Sequence, residues 1–397
     1  MSLHLLIKSL LRRKVVTVLL LVQLAMTLAL LVNSLLLAGQ TRDKLNEPTG
    51  LNLPHTLQVQ LKPTTPDLWV YPMLGDLLER QMVAIRALPG VQAVAYTNQG
   101  PVRQGGTNGN LFDANAEERT NIPTVPQYIV SPDFFAALGV AVVDGQLPVS
   151  PIAMDIDTSS PLVLTRSLAE KLFPGRSAIG LNTNRAPVAA VVEDFFGQSS
   201  ATNPLYNSIQ VSPLFGVDWG YALLVKTSAG ITEQVRQQLP DVLRQVDANI
   251  EVFYVRTLEE QHQQLYRNEF GLATLLGILS GLMLLVAMVS SYSNAHFHAL
   301  KQQQEIGIKR ALGASKKLIL LELLSENWLT TTLGAVIGVF CALALNKALA
   351  SVISLEALNW WLPLLCSAVL LVCVTVATWY PARIATAVSP ATATKTL

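Results

Sequence analysis

The side chains that could take part in chemistry are most concentrated in one short charged segment, residues 305–317, between two long apolar runs. Four basic side chains share this segment with glycines, alanines and a single carboxylate, Glu305. Such a composition suits binding to another protein better than breaking bonds. We expect one short helix over residues 301–312, ended by Gly313 in the left-handed conformation, and a second helix capped by Ser315. A plain cytoplasmic basic loop is the alternative, and it would explain the charges but not the spacing of the small residues.

Other reactive groups are too scattered to suggest an active site. The phosphate-binding pattern GxxxxGK[ST] does not occur, so an ATPase, if one is needed, is expected on another polypeptide. His55 and His262 are far apart and no GxSxG nucleophile accompanies them. His296 and His298 are two residues apart and cannot share one face of a helix, which disfavours a metal site. We therefore expect no catalytic, cofactor-binding or metal-binding residues.

Composition indicates a membrane protein with a large polar insertion. Hydrophobic residues make up 51% of the 397 residues and charged residues 14%. The cysteines all fall in apolar runs, so the polar block, residues 39–269, cannot contain a disulfide. This block has more acidic than basic residues and no compact basic stripe, which argues against nucleic acid as a partner. Residues 1–14 and 293–317 are basic, and the positive-inside rule predicts that both are cytoplasmic.

The apolar runs predict transmembrane helices at residues 15–38, 270–292, 318–346 and 360–380. The first run is about 36 Å long as a helix, enough to cross a hydrocarbon core of about 30 Å. A cleaved signal peptide is its alternative, although the run is longer than a normal signal core. The connecting segments are then residues 39–269 and 347–359 outside the cell membrane, and residues 1–14, 293–317 and 381–397 in the cytoplasm.

Two acidic residues interrupt the third run. Glu322 and Glu326 are expected near the cytoplasmic interface, either reaching toward water or paired with Lys316 or Lys317, because a charge at the bilayer centre is costly.

Small residues repeat at the spacing that allows transmembrane helices to approach closely. Gly277 and Gly281 form one such pair, and Gly334 and Gly338 form another. Packing within one chain and packing across a dimer fit these patterns equally well.

The polar block predicts a mixed α/β domain, because short strand-like runs alternate with short helices and turn residues. Strands are expected at residues 57–61, 91–96 and 222–226, and a helix at residues 77–88. Ser131 is expected to cap a helix that begins at Pro132 and closes at Gly139.

Helical stalks are expected where the block joins the membrane spans. Thr257 and Glu260 form a T-x-x-E capping box, and the helix that they begin is expected to continue as one rod through Tyr266 and Phe270 into the second span. The first span could extend outward through residues 40–45 in the same way.

The charged segment begins with Glu305, Ile306, Gly307, Ile308, Lys309, Arg310, Ala311, Leu312, Gly313 and Ala314. These residues closely resemble the cytoplasmic signature of the MacB/FtsX-like family of ABC transporter permeases. Through positions such as Tyr128, Phe134, Phe135, Leu138 and Gly139, the polar block resembles the family's periplasmic core domain over most of its length, with Gly145-Gln146 standing where the family usually has Gly-Arg.

This resemblance implies a permease subunit, without its own ATPase domain, of an ATP-driven envelope export complex in the inner membrane. Cytoplasmic ABC ATPase subunits holding ATP and Mg would dock on residues 305–314, and this chain would bind no cofactor itself. A second permease copy, identical or related, membrane lipid, a periplasmic adaptor protein and an outer-membrane channel are the other implied partners. The stalks would carry motion to the outer domain, and the cargo would be drugs, peptides or lipids. Alternatives are a cargo-free permease that controls an envelope enzyme, and a lipoprotein-releasing permease.

Overall fold

The computed structural model describes residues 14–116, 121–148, 160–351 and 358–386. The chain divides into two compact units, one formed by Met1–Asn46 with Arg267–Leu397 and the other by Glu47–Tyr266. We call them the helical unit and the outer unit. Most of the predicted N-terminal and C-terminal cytoplasmic segments, and part of the predicted outer loop at residues 347–359, fall outside the described residues.

In sequence, the outer unit is inserted between the first and second long helices. In chain order the described helices and strands are α1 (Lys14–Asn46), β1 (Thr56–Pro63), α2 (Met73–Arg86), β2 (Val91–Thr97), β3 (Asn108–Leu111), β4 (Ile122–Val130), α3 (Phe134–Leu138), β5 (Val142–Gly145), β6 (Leu162–Thr165), α4 (Arg166–Leu172), β7 (Val188–Val192), β8 (Ser208–Val211), β9 (Tyr221–Thr227), α5 (Thr232–Val246), β10 (Ile250–Thr257), α6 (Leu258–Leu265), α7 (Arg267–Lys301), α8 (Gln303–Ala311), α9 (Lys316–Ala350) and α10 (Trp361–Ala385).

Four helices of the described residues, α1, α7, α9 and α10, are long and apolar enough to cross a membrane. At 33 residues, α1 measures about 50 Å, longer than a hydrocarbon core of about 30 Å. Its last turn extends past the predicted span and carries Lys44, whose ammonium lies 3.1 Å from the carboxylate of Glu269 in the first turn of α7. The outer ends of the two helices are therefore tied together within the helical unit.

Helix α1 packs against α7, α9 and α10. Leu28 and Val32 are completely buried there. The amide of Asn33 donates to the carbonyl of Ala342 on α9 at 3.1 Å, which satisfies a polar group that lipid could not.

The two predicted glycine pairs have different surroundings in this chain. A Cβ atom placed on Gly334 would lie 2.9 Å from the Cβ of Leu24, and one on Gly338 would lie 2.9 Å from the Cβ of Leu28. Around Gly277 and Gly281 nothing lies within 4 Å of such an atom. Gly334 and Gly338 thus permit close contact between α9 and α1, whereas Gly277 and Gly281 lie on an open face of α7.

The outer unit is built on a sheet whose strand order is β10-β1-β9-β2-β4-β8-β6-β7-β5, with β3 paired to β4 off this path. Neighbours are antiparallel except β4 with β8 and β6 with β7, which are parallel. Helices α2 and α5 cover β1, β2 and β9 through buried leucines such as Leu77 and Leu239. The predicted fold class, four membrane helices with a mixed α/β domain between the first two, is confirmed.

Local predictions in the outer unit are correct where a short pattern decides the structure. The predicted strands correspond to β1, β2 and β9. Thr257 and Glu260 form the complete capping box at the start of α6, and Gly139 closes α3 with a φ of 75°.

Two expectations are wrong. Ser131 does not cap α3, because its hydroxyl accepts instead from the backbone N–H of Tyr96, and the helix begins after Asp133. The rod predicted from Thr257 into the second span is interrupted, since α6 ends at Leu265 and Tyr266 has non-helical angles of φ −102° and ψ 6°.

Candidate coupling site

Residues 305–311 of the charged segment lie in the short helix α8, which is packed on its apolar side. Ile306 and Gly307 are its buried residues. Ile306 packs in one cluster with Ala299 of α7, Ile319 of α9 and Ala382 of α10. The short helix is therefore packed on its apolar side against residues of three spanning helices.

The ends of α8 follow the predicted rules with one difference. Gly313 adopts a φ of 96° and donates its N–H to the carbonyl of Arg310 at 3.1 Å, while the hydroxyl of Ser315 accepts from the N–H of Leu318 at 3.2 Å. The difference lies at the start, because α7 continues to Lys301 and α8 begins only at Gln303.

Lys309 connects α8 to α9 through charge. Its ammonium lies 2.9 Å from the carboxylate of Glu322 and 3.4 Å from that of Glu305, one turn away. Burial alone would lower the pKa of Lys309, but the hydrogen bond and charge of Glu322, together with Glu305, raise it above its ordinary value. The expected partners of Glu322, Lys316 or Lys317, are thus replaced by Lys309.

A second close polar contact between two spanning helices was not predicted from the sequence. Nε2 of His298 on α7 lies 2.6 Å from the carboxylate of Glu326 on α9, and the two side chains are only 10% and 15% exposed. His296 faces elsewhere and stacks on Tyr292 with ring centroids 6.1 Å apart. An acidic residue within a spanning helix signals a buried partner, but its identity depends on how α7 and α9 pack.

Arg310 ties α8 to the end of α10. Its guanidinium donates to the backbone carbonyl of Thr386 at 3.3 Å. With the Lys309 contact and the buried Ile306, the short helix is held to both α9 and α10.

The opposite side of α8 is open and apolar. Ile308 is 59% exposed and Leu312 83% exposed. Their i and i+4 spacing places them on one helix face.

The signature positions differ in their exposure to solvent. Glu305, Ile308, Ala311, Leu312 and Gly313 are exposed, Ile306 and Gly307 are buried, and Lys309, Arg310 and Ala314 are intermediate.

Two family models match this chain. The model described as the MacB-like periplasmic core domain matches residues 17–242, and the model described as the FtsX-like permease C-terminal domain matches residues 277–390. The second match contains α8 and the long helices around it.

Two curated proteins are similar to parts of this chain. An uncharacterized ABC transporter permease, YvrN, from Bacillus subtilis is 23% identical over 298 residues, covering 70% of this chain and 69% of YvrN. A macrolide export ATP-binding/permease protein, MacB, from Marinobacter nauticus is 29% identical over 102 residues, which are 26% of this chain and 16% of that protein.

Two solved structures are similar to part of this chain. The periplasmic region of MacB from Actinobacillus actinomycetemcomitans is 14% identical, covers 56% of this chain and 97% of its own, and gives a TM-score of 0.34. The extracellular domain of the ABC-type transporter YknZ from Gram-positive bacteria is 15% identical, covers 49% of this chain and 99% of its own, and gives a TM-score of 0.31.

Proposed function

Because this chain belongs to the family of ABC transporter permeases of the MacB/FtsX type, we propose that residues 305–314 are the surface on which a separate ABC ATPase subunit docks. ATP and Mg would be bound by that subunit. The exposed face of α8 carries this proposal, since Ile308 and Leu312 are apolar and open while Ile306 is buried against the spanning helices. Docking at this surface would require that α8 and both chain ends lie in the cytoplasm. The helical bundle would then span the inner membrane.

The anchoring contacts supply a route for motion. A push on α8 reaches α9 through Lys309 and Glu322, and α10 through Arg310. Helix α1 packs on α7 and α9, and its outer end is tied to α7 by Lys44 and Glu269. We propose that α1 and α7 transmit this displacement to the outer unit in a complex with two permease copies.

Export is the activity that we propose for the complex. Support comes from the relatives, one of which is named as a macrolide exporter. In this proposal the outer unit works with an adaptor protein and an outer-membrane channel, and the cargo is a drug, peptide or lipid.

The proposal is tested with the purified full chain in lipid nanodiscs and its ATPase subunit. Leu312→Asp should weaken binding of the ATPase by about 30-fold, because a central apolar contact at an interface contributes about 2 kcal/mol or more. Val143→Asp is the matched control, since Val143 is an exposed apolar residue of the outer unit. Equal ATPase binding by both variants and the native chain would contradict docking at α8.

A further inference from the structure

The outer unit carries an apolar surface that its own fold leaves open. Val70, Tyr71 and Met73 lie on one segment, and Phe215 and Trp219 lie on another. Each has about half or more of its surface exposed, and Trp219 is 88% exposed. Exposed apolar surfaces of this kind commonly mark interaction sites.

The two segments are held side by side by the backbone. The N–H of Tyr71 donates to the carbonyl of Phe215 at 3.4 Å, and the N–H of Val217 donates to the carbonyl of Trp69 at 3.0 Å. The rings of Tyr71 and Phe215 are in contact, with centroids 6.5 Å apart. The surface is therefore a fixed feature of the fold.

A cleft of about 430 Å³ opens beside this surface. Tyr71 forms one wall, and Tyr96 and Leu214 are buried residues of its lining. This volume is at the lower end of the range of small-ligand pockets, about 300–1,000 Å³, and leaves room for an inserted side chain. Burial raises the pKa of Tyr96 to about 12, in agreement with a poorly hydrated interior.

The rim of the cleft is acidic. Asp76 and Glu79 are exposed on α2 along the rim. Arg86 also lies on the rim, but it forms an ion pair with Asp133. The remaining charge is therefore negative and would attract a basic side chain.

Charge favours a protein partner over a lipid surface, because the exposed carboxylates of Asp76 and Glu79 would repel anionic lipid headgroups.

Charge disfavours a second copy of this chain as the occupant. A two-fold interface would bring the patch against the same patch, and so the acidic rim of one copy against that of the other. We propose that this surface and cleft bind a soluble extracytoplasmic protein, which inserts an apolar side chain into the cleft and places an adjacent Lys or Arg at Asp76 and Glu79. This inference rests on the proposed function in one respect, the placement of the outer unit, and so of its partner, outside the cytoplasm.

Photocrosslinking of the full chain in cell membranes tests this inference. Trp219→p-benzoylphenylalanine places the probe on the surface, and Val143→p-benzoylphenylalanine places it on the exposed strand β5 as a control. We expect position 219, and not position 143, to capture one soluble extracytoplasmic protein. Its crosslinked segment should contain an apolar residue beside Lys or Arg. Capture alone is not sufficient, so the identified protein is then purified and titrated against the full chain in nanodiscs.

In that titration, Trp219→Ala should weaken binding about 30-fold, as expected for a central aromatic anchor. Asp76→Asn with Glu79→Gln should weaken it severalfold at low salt and have little effect at high salt. The inference is overturned by a crosslink between two copies of the chain, by a lipid adduct, by equal capture at position 143, or by no adduct at position 219. Binding of the ATPase subunit, measured on the same samples, reports separately on the coupling site.

Discussion

Replacing glycine by alanine at the two small-residue pairs should have opposite effects on the stability of the helical bundle. In an open helix position, alanine is favoured over glycine by about 0.8–1.0 kcal/mol. Gly277→Ala with Gly281→Ala should therefore stabilise the bundle by roughly 1–2 kcal/mol, because nothing lies within 4 Å of either new methyl group.

The other pair should behave differently, because its neighbours cannot move away. The new methyl group at position 338 would meet the Cβ of Leu28 at 2.9 Å and the backbone oxygen of Ala25 at 3.0 Å. Overpacking typically costs about 1–3 kcal/mol per site, which offsets or exceeds the gain in helix propensity. Gly334→Ala with Gly338→Ala should thus reduce stability by about 0–4 kcal/mol.

The assay is equilibrium unfolding of the purified chain in detergent, at a concentration at which it is monomeric. A loss of stability for the substitutions at positions 277 and 281, equal to that at 334 and 338, would refute the packing described here. Repeating the measurement in nanodiscs that hold two copies would reveal whether a second chain covers the open face of α7.

Three further predictions concern charged and capping groups. Glu326→Gln should destabilise the helical unit through loss of the contact with His298. Adding His298→Gln should reduce the free energy of unfolding little further, because both changes remove the same contact. Additive losses in the unfolding assay would contradict that pairing. Thr257→Ala should reduce the stability of the outer unit by about 1 kcal/mol through loss of the N-cap, whereas Thr257→Ser should retain it in urea unfolding. Burial, partly opposed by the charge of Glu47, lowers the pKa of His262. The contribution of neutral His262 to the stability of the outer unit should therefore be complete above the ordinary histidine pKa of about 6.5 and be lost as the pH falls below it. His262→Gln should reduce this acid dependence, and an unchanged pH profile of unfolding would contradict the assignment.

The sequence predicts those features that depend on short-range patterns. Apolar length predicts the spanning helices, and residues three apart predict the capping box at Thr257 and Glu260. Gly313 is likewise recognisable, because a left-handed residue is needed to end α8.

Features that depend on tertiary contacts could not be read from the sequence. The glycine pairs of α7 and α9 have the same spacing, and only the position of α1 distinguishes them. Ser131 has the sequence context of a cap, but a strand N–H at Tyr96 competes for its hydroxyl. The break between α6 and α7 at Tyr266 has no adjacent proline or glycine from which it could be predicted.

The most direct test of the central claim is to determine the side of the membrane on which α8 lies and whether an ATPase covers it. Leu312→Cys, in a background without Cys341, Cys366 and Cys373, is labelled with a membrane-impermeant maleimide in vesicles of known orientation, with Val143→Cys as the outer marker. The account predicts labelling of position 312 only from the cytoplasmic side, and protection from labelling when the ATPase subunit is bound. Labelling of positions 312 and 143 from the same side would contradict it.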